Sequence, residues 1–384
     1  MAKEIKRGIK KEVERSLWAR AAGRCEFKGC NRLLCKSPIT QEEVNIAEKA
    51  HIYSISESGP RGWGPLSKGK DKINQLENLM LVCPDCHKTI DQDKEGKRYS
   101  AELLLEWKRA HEERIEIATG ILPENKSHVV LYGANIGEQR PILNPKSAKA
   151  AMFPYWYPSS KNPINLSMLC SHDDSTDDYW KTESKHLYTL FIRYIKPIIE
   201  ESDSCHFSLF SLAPQPLLIL LGTLFTDIIP VEVYQPHREP QTWKWASSPE
   251  QLDLLIKEPV NFKNDPVLII SLSDRISPDR VKKVIGENIS IWELTSGTYH
   301  NNILKSRAQL SSFREAARLL LSSVKECHGI ETPLKIFPAM PVACAVELGR
   351  VRMPKTHMPF IIYDQNNKAG KFIETIKIPG DLNE

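Results

Sequence analysis

The sequence predicts two domains of different class: a small α+β unit held together by metal-binding cysteines, then a larger α/β unit made of two fused Rossmann-like halves. Three observations predict this. Four cysteines stand in two pairs, Cys25 and Cys30 in GRCEFKGC and Cys83 and Cys86 in VCPDCHK, with the Cys-x4-Cys and Cys-x2-Cys spacing of a tetrahedral zinc site. In the second half of the chain, apolar strand-like runs alternate with helical ones. Within that region Phe210, Pro214 and Gly222 recur as Phe337, Pro341 and Gly349 at an offset of 127, and Pro230 and Tyr234 recur as Pro359 and Tyr363 at an offset of 129.

Taken in order, residues 3–22 place Ile9, Val13, Leu17 and Ala21 at helical spacing beside Lys3, Lys6, Arg7, Lys10, Lys11 and Arg15. This is a basic amphipathic helix, suited either to a solvated surface or to a phosphate backbone. Gly23 ends it and opens the first knuckle. Four thiolates around one zinc clamp segments more than fifty residues apart, which replaces the core that so small a unit cannot build. Cys35 is an alternative to Cys30, although CEFKGC is the tighter knuckle. His51 falls on a strand in AHIY, before the loop SESGPRGWGPLSKGK, whose Gly, Pro and Ser exclude a regular element. Leu79 to Val82 read as a short turn or strand, and HKTID as the start of a helix. Ser100 caps the next helix, SAELLLEWKRAHEERIEIA, which Gly120 and Pro123 stop.

The first domain is expected over residues 1–119, a linker over 120–149, and the second domain over 150–384. Each repeat unit of the second domain reads as a strand, a Pro-containing turn, an apolar helix and a second strand, with flanking helices at His186 to Glu200 and Lys305 to Cys327 and a buried strand at Val267 to Ser271. Two related halves facing each other build a pocket at the carboxyl ends of their strands.

The 384 residues suffice for more than one core. Nothing resembles a signal peptide, and Leu217 to Leu221, the longest apolar stretch, is far shorter than a bilayer requires, so a cytoplasmic protein without membrane partners is expected. Nine cysteines, an odd number, fit a reducing compartment better than a disulfide framework. The formal charge of +4 belongs entirely to the first 119 residues, where Lys and Arg number 23 against 19 Asp and Glu. That is the sign expected of a part that meets phosphate.

Cys25, Cys30, His51, Asn78, Cys83, Cys86 and His87, in this order, resemble a cysteine-rich HNH endonuclease domain. The resemblance implies a ββα-metal fold around one divalent ion such as Mg²⁺, Mn²⁺ or Ni²⁺. It makes His51 the general base that takes a proton from the attacking water, His87 a metal ligand, and Asn78 the residue that holds the hairpin and orients His51. Many such domains have an Asp before the base histidine; here that place is Ala50, so Asp91, Asp85 or Glu48 must supply the second ligand, with Asp91 assigned.

The phrases HFSLFSLAPQPLLILLG, PVEVYQPHR and IFPAMPVACAVELGRV make the second domain resemble the SAVED domain, a fused pair of CARF-like units that senses cyclic oligonucleotides. HNH followed by SAVED resembles the effector nucleases of bacterial CBASS anti-phage systems. The resemblance implies a homo-oligomer, dimer or tetramer, that a cyclic di- or oligonucleotide assembles and that then cuts double-stranded DNA, since one HNH site cuts one strand. Purines want aromatic faces and phosphates want cations or N–H groups. The candidates are Pro214, Gln215, Met340 and Pro341 at the pocket-side turns; Thr298, Tyr299, His300 and Lys305 in and beside SGTYHNN; and the outlying Tyr155, Trp156, Arg238 and Trp243. No catalytic cluster stands out in this half, so it reads as a sensor. The rival readings are a restriction enzyme that recognises modified bases and a non-enzymatic zinc-containing DNA-binding regulator.

Overall fold

The structure is a computed structural model that describes residues 8–69, 72–167, 174–201, 205–247 and 252–379. It divides into two compact units, Met1–Leu122 and Pro123–Glu384. Lys3, Lys6 and Arg7 of the expected basic helix lie outside the described residues.

The first unit opens with α1 (Lys11–Ala21), which buries Leu17 and Ala21 and ends where Ala22 turns left-handed. β1 (Glu48–His51) and β2 (Leu79–Val82) form an antiparallel pair with Ala50 opposite Met80 and His51 opposite Leu79. All four residues of β2 are buried, which leaves the partner strand to carry the polar side chains. α2 (Pro84–Gln92) starts on a proline, whose missing N–H costs nothing at a helix start. The Ser100 hydroxyl accepts the Leu103 N–H and caps α3 (Ala101–Thr119), as its position in the sequence leads one to expect. Leu17, Leu34, Ala50, Met80, Ile90 and Leu104 make one small core.

The second unit begins earlier than the sequence reading places it. β3 (Lys126–Gly133) lies inside the stretch 120–149 expected to be a linker, and it pairs in parallel with β6 (Phe207–Leu212) over six residues. Its run SHVVLYG buries Val129 to Gly133, so hydrophobic burial overrides the Asn, Pro and Gly that flank it. α4 (Pro145–Met152) also falls in that stretch. β4 (Tyr157–Pro158) and β5 (Ile164–Asn165) add to β3, and β7 (Val231–Tyr234) adds to β6, giving a five-stranded parallel sheet. The flanking helix expected as one piece is α5 (Asp177–Tyr194) and α6 (Lys196–Glu201), interrupted at Ile195.

β8 (His237–Arg238) and β9 (Gln241–Thr242) form a small hairpin. A six-stranded mixed sheet follows, ordered β10 (Leu254–Lys257), β12 (Ile289–Ser296), β11 (Asp265–Ser271), β13 (Leu334–Ala339), β14 (Phe360–Asn366), β15 (Lys371–Ile378). Its four central strands are parallel and its two edges antiparallel. The chain leaves β11 through α8 (Pro278–Ile285) toward β12, then crosses through α9 (Arg307–His328) to β13 on the other side. That reversal opens a crevice at the carboxyl ends of β11 and β13.

Between the sheets lie α7 (Gln215–Phe225) and α10 (Val342–Arg350), each buried almost all round, α10 with the Glu347–Arg350 ion pair inside. They touch at two glycines. A Cβ on Gly222 would lie 2.9 Å from the Val346 carbonyl carbon and nearer its oxygen, and one on Gly349 would lie 2.9 Å from the Ile219 carbonyl carbon and nearer its oxygen. Side-chain packing repeats as well: Phe210 stacks on Tyr234 at 4.3 Å with Trp243 edge-on, and Phe337 stacks on Tyr363 at 4.5 Å with Phe372 edge-on. Among the described residues no helix is long and apolar enough to cross a membrane.

Candidate functional site

In the first unit, the β1–β2 pairing sets His51 at the end of its strand, directly opposite the residue after Asn78. Asn78 is 4 % exposed and fully engaged: its Oδ1 accepts the Tyr53 N–H at 2.8 Å, and its Nδ2 donates to Tyr53 O and Ile73 O, each at 2.9 Å. It clamps the chain two residues beyond His51, so its grip on His51 runs through the backbone. The His51 ring instead meets Asn74, with 2.9 Å between Nε2 and Oδ1.

His87 stands in the first turn of α2, with its Nε2 3.4 Å from Asp91 Oδ2 one turn later and its Nδ1 4.0 Å from Glu48 Oε2 at the start of β1. His87 Nε2 and Asp91 Oδ2 are a nitrogen and an oxygen donor that a divalent cation could share, while Glu48 faces the other ring nitrogen; among the described residues only the cysteine quartet gathers three or more such ligand atoms. Asp85 is not part of this group; it pairs with Arg32 at 2.8 Å. Ala50, at the place where many HNH domains have an Asp, is buried in the small core. Sequence reasoning missed Asn74, and it missed Arg61, which reaches Asp91 at 3.5 Å from inside the loop. A lone arginine between Pro60 and Gly62 was the one available signal for it.

The Sγ atoms of Cys25, Cys30, Cys83 and Cys86 all lie within 4.8 Å of one another, and those of Cys30 and Cys83 are 3.9 Å apart. Tetrahedral bonds of about 2.3 Å to one ion require sulfur separations of about 3.8 Å, so the quartet fits zinc. Burial pushes the Cys25 thiol up to about 12, against N–H groups of Cys83 and Phe27 that pull it down. A thiolate there wants a cation beside it. Cys35 is exposed and outside the group.

In the second unit a cavity of about 880 Å³ opens at the carboxyl ends of the strands, lined by Leu212, Gln235, Ser273 and Met340 from the ends of β6, β7, β11 and β13. Its volume sits at the upper end of the range for ligand pockets, about 300–1,000 Å³. Four expected ligand residues line it: Arg238, Trp243, Met340 and Pro341. Thr298, His300 and Lys305 line a separate hollow of about 180 Å³. Tyr299 lines neither; its hydroxyl meets Thr295 Oγ1 at 3.2 Å. Tyr155 and Trp156 also line neither, because Trp156 stacks at 3.5 Å on His206 and the Arg307 guanidinium covers Tyr155 at 4.3 Å. Gln215 is committed within the protein, its Oε1 accepting the Met340 N–H at 3.2 Å, and Pro214 forms the start of α7. Gln235, His237, Asn301 and Asn302 also line the cavity wall; they lie in PVEVYQPHR and SGTYHNN but were not among the expected ligand residues. Burial holds His237 below its ordinary value, against a hydrogen bond with Asn302 that raises it.

Two family models match the chain. That of the SMODS-associated and fused to various effectors sensor domain, SAVED, covers residues 187–378, half of the chain, and that of the HNH endonuclease covers residues 25–94. No curated protein matches. Among solved structures, the Acinetobacter baumannii Cap4 SAVED/CARF-domain containing receptor with the cyclic trinucleotide 2'3'3'-cAAA is 15% identical, over 72% of this chain and 56% of that one, at a TM-score of 0.41. The same receptor without a named ligand is 12% identical, over 82% and 65%, at 0.42. The Moraxella osloensis Cap4 SAVED/CARF-domain containing receptor is 15% identical, over 80% and 63%, at 0.37. This chain spans less than two thirds of the length of each.

Proposed function

The chain belongs to the SAVED family and carries an HNH endonuclease domain ahead of it, and from this we propose that it is a metal-dependent DNA endonuclease switched on by a cyclic oligonucleotide in CBASS-type anti-phage defence. The observation that carries the catalytic half is His87 beside Asp91, on the helix that follows the strand paired with the one ending in His51. Asn74 Oδ1 accepts from His51 Nε2–H, which leaves the Nδ1 lone pair to take the proton of a water attacking phosphorus. His87 and Asp91 would hold the divalent ion, Mg²⁺, Mn²⁺ or Ni²⁺, with water and phosphate oxygens completing its shell. That ion supplies positive charge for the phosphate and the leaving oxygen. Asn78 keeps the chain beyond His51 in place. Zinc on the four cysteines is structural, because four thiolates leave it no open position for substrate.

For the sensing half, the paired glycines and the repeated aromatic stacks support two Rossmann-like halves around one cavity. Arg238 offers charge to phosphate, and Trp243 an aromatic face to a base. Binding there changes the oligomeric state and brings two HNH sites onto one duplex.

The test is cleavage of plasmid DNA with Mg²⁺, Mn²⁺ or Ni²⁺, with and without a panel of cyclic di- and trinucleotides, beside a His51→Ala control, with mass measured by light scattering. Linear product that requires one nucleotide, is lost in His51→Ala and coincides with a rise in mass is the expected result. Cleavage by a monomer without nucleotide overturns the gating, and cleavage retained in His51→Ala overturns the base.

A further inference from the structure

We propose that Arg61 is a positioning residue of the N-terminal site, whose buried guanidinium fixes the strand exit carrying His51 against the helix end carrying Asp91. This rests on the nuclease reading. The Arg61 side chain is 3 % exposed, and it spends its donors on both sides of the site. Nε donates to Ile52 O at 2.7 Å and one terminal nitrogen to His51 O at 3.3 Å, holding the backbone on which the His51 ring is mounted. The other terminal nitrogen donates to Ile90 O at 3.1 Å, in the last turn of α2. The nitrogen on His51 O also faces Asp91 Oδ1 at 3.5 Å, while Asp91 Oδ2 faces His87. Asp91 is therefore oriented from one side by Arg61 and presents its other oxygen to the metal-side histidine.

The fork matters here, because lysine has one nitrogen and cannot span three carbonyls and a carboxylate. The backbone confirms how closely the placement is specified. Arg61 sits at φ +63°, a left-handed conformation that a non-glycine residue rarely adopts, and a Cβ on Gly96 would come within 2.9 Å of its Cγ. An arginine that merely filled space would need neither. Partners behind metal ligands typically change metal affinity or activity about 10–100-fold when lost.

The experiment uses the full chain with Arg61→Gln and Arg61→Lys, beside Asp91→Asn and the Arg61→Gln/Asp91→Asn pair. Mn²⁺ affinity is measured by calorimetry without DNA, and kcat and KM by nucleotide-activated cleavage. Folding is judged from melting curves and retained zinc. The expected result is folded protein with Mn²⁺ affinity lower by about 10-fold, kcat lower by about 10–100-fold and KM for DNA little changed. Adding Arg61→Gln to Asp91→Asn then costs little further Mn²⁺ affinity, because Arg61 acts through that carboxylate. A folded Arg61→Lys with wild-type Mn²⁺ affinity and kcat overturns the proposal. So does unfolding of both Arg61 variants, which makes the residue a stability element only. Should the wild-type protein cleave under no condition, the nuclease reading fails, and the Mn²⁺ titrations still decide the role of Arg61.

Discussion

Replacing Gly222 by alanine sets two effects of opposite sign against each other. Alanine is the better helix former by about 1 kcal/mol, so propensity alone raises stability. The added methyl, however, would lie 2.9 Å from the Val346 carbonyl carbon and 3.0 Å from Arg350 N, on a neighbouring helix that is itself buried. Ordinary contacts are about 3.5–4.0 Å and the Val346 oxygen lies nearer the added methyl than its carbon does, so α7 and α10 must part by about 1 Å or more. Parting well-packed elements by that much forfeits about a quarter to a half of each contact across the crossing, and overpacked cores typically lose about 1–3 kcal/mol. The steric term wins, with a net loss of about 2 kcal/mol and a fall in melting temperature of about 4–8 °C for a unit of this size. Scanning calorimetry with nucleotide affinity measured alongside is the assay, since α10 begins at the cavity wall with Val342. Gly349→Ala meets the same crossing from the other side, and the double variant costs less than the sum because one parting serves both. A melting temperature that stays level or rises in Gly222→Ala refutes the close crossing.

Two further outcomes are expected. Cys83→Ser, or stripping the wild type with a strong chelator, removes the zinc clamp; a structural zinc contributes about 10 kcal/mol or more, comparable to the whole stability of a small unit. The first unit then loses its cooperative melting transition while the second keeps its own, and metal analysis of the wild type gives one zinc per chain. Several buried histidines make stability fall toward acid pH, and His206 contributes most, held down to about 4 by burial and by the Arg350 charge against an ordinary 6.5. The unfolded chain binds that proton at about 6.5 and the folded one does not, so stability is full above 6.5 and falls as pH drops from about 6.5 to about 4. His206→Gln flattens that slope in denaturant titrations across the window, and an unchanged slope rejects the assignment.

The cysteine quartet and the helix caps were legible because their signals are local. Two cysteines with two residues between them, or a serine at a helix start, mean the same thing in any fold. His51, Asn78 and His87 were named through a resemblance of order, and the structure sets them at the end of β1, just before β2 and in α2. Asn74 and Arg61 were not named, because their roles exist only once an irregular loop has folded back over β1 and α2, and loop geometry leaves no periodicity in sequence. β3 went unread for the converse reason: a clear apolar run was hidden by the turn residues around it. The ligand candidates scattered over the cavity, the small hollow and the packed interior because an aromatic or cationic residue does not announce which side of a sheet it serves.

The repeat shows how a shared frame and an individual site coexist. On the two-half reading, the residues that set the frame correspond: Gly222 with Gly349, Ile219 with Val346, and the two aromatic stacks. The residues at the cavity end do not. Gln235 Oε1 accepts the Ala343 N–H at 2.9 Å and so caps the start of α10. The matching position in α7 is Pro216, which has no N–H to give, and the residue matching Gln235 is Asp364. Asp364 turns to its neighbour instead, accepting the Gln365 N–H at 3.0 Å, and burial pushes its carboxyl up to about 7 against that bond. Helix crossing demands equivalence because both glycines serve one contact, whereas the cavity wall is free of that demand. The cavity wall accordingly takes Gln235 and the start of α10 at Val342 from one side of this comparison, while Asp364 and Pro216 stay off it. On the proposed sensing role, this unequal wall is what would let the cavity tell one ligand from another, which no symmetry of the frame would supply.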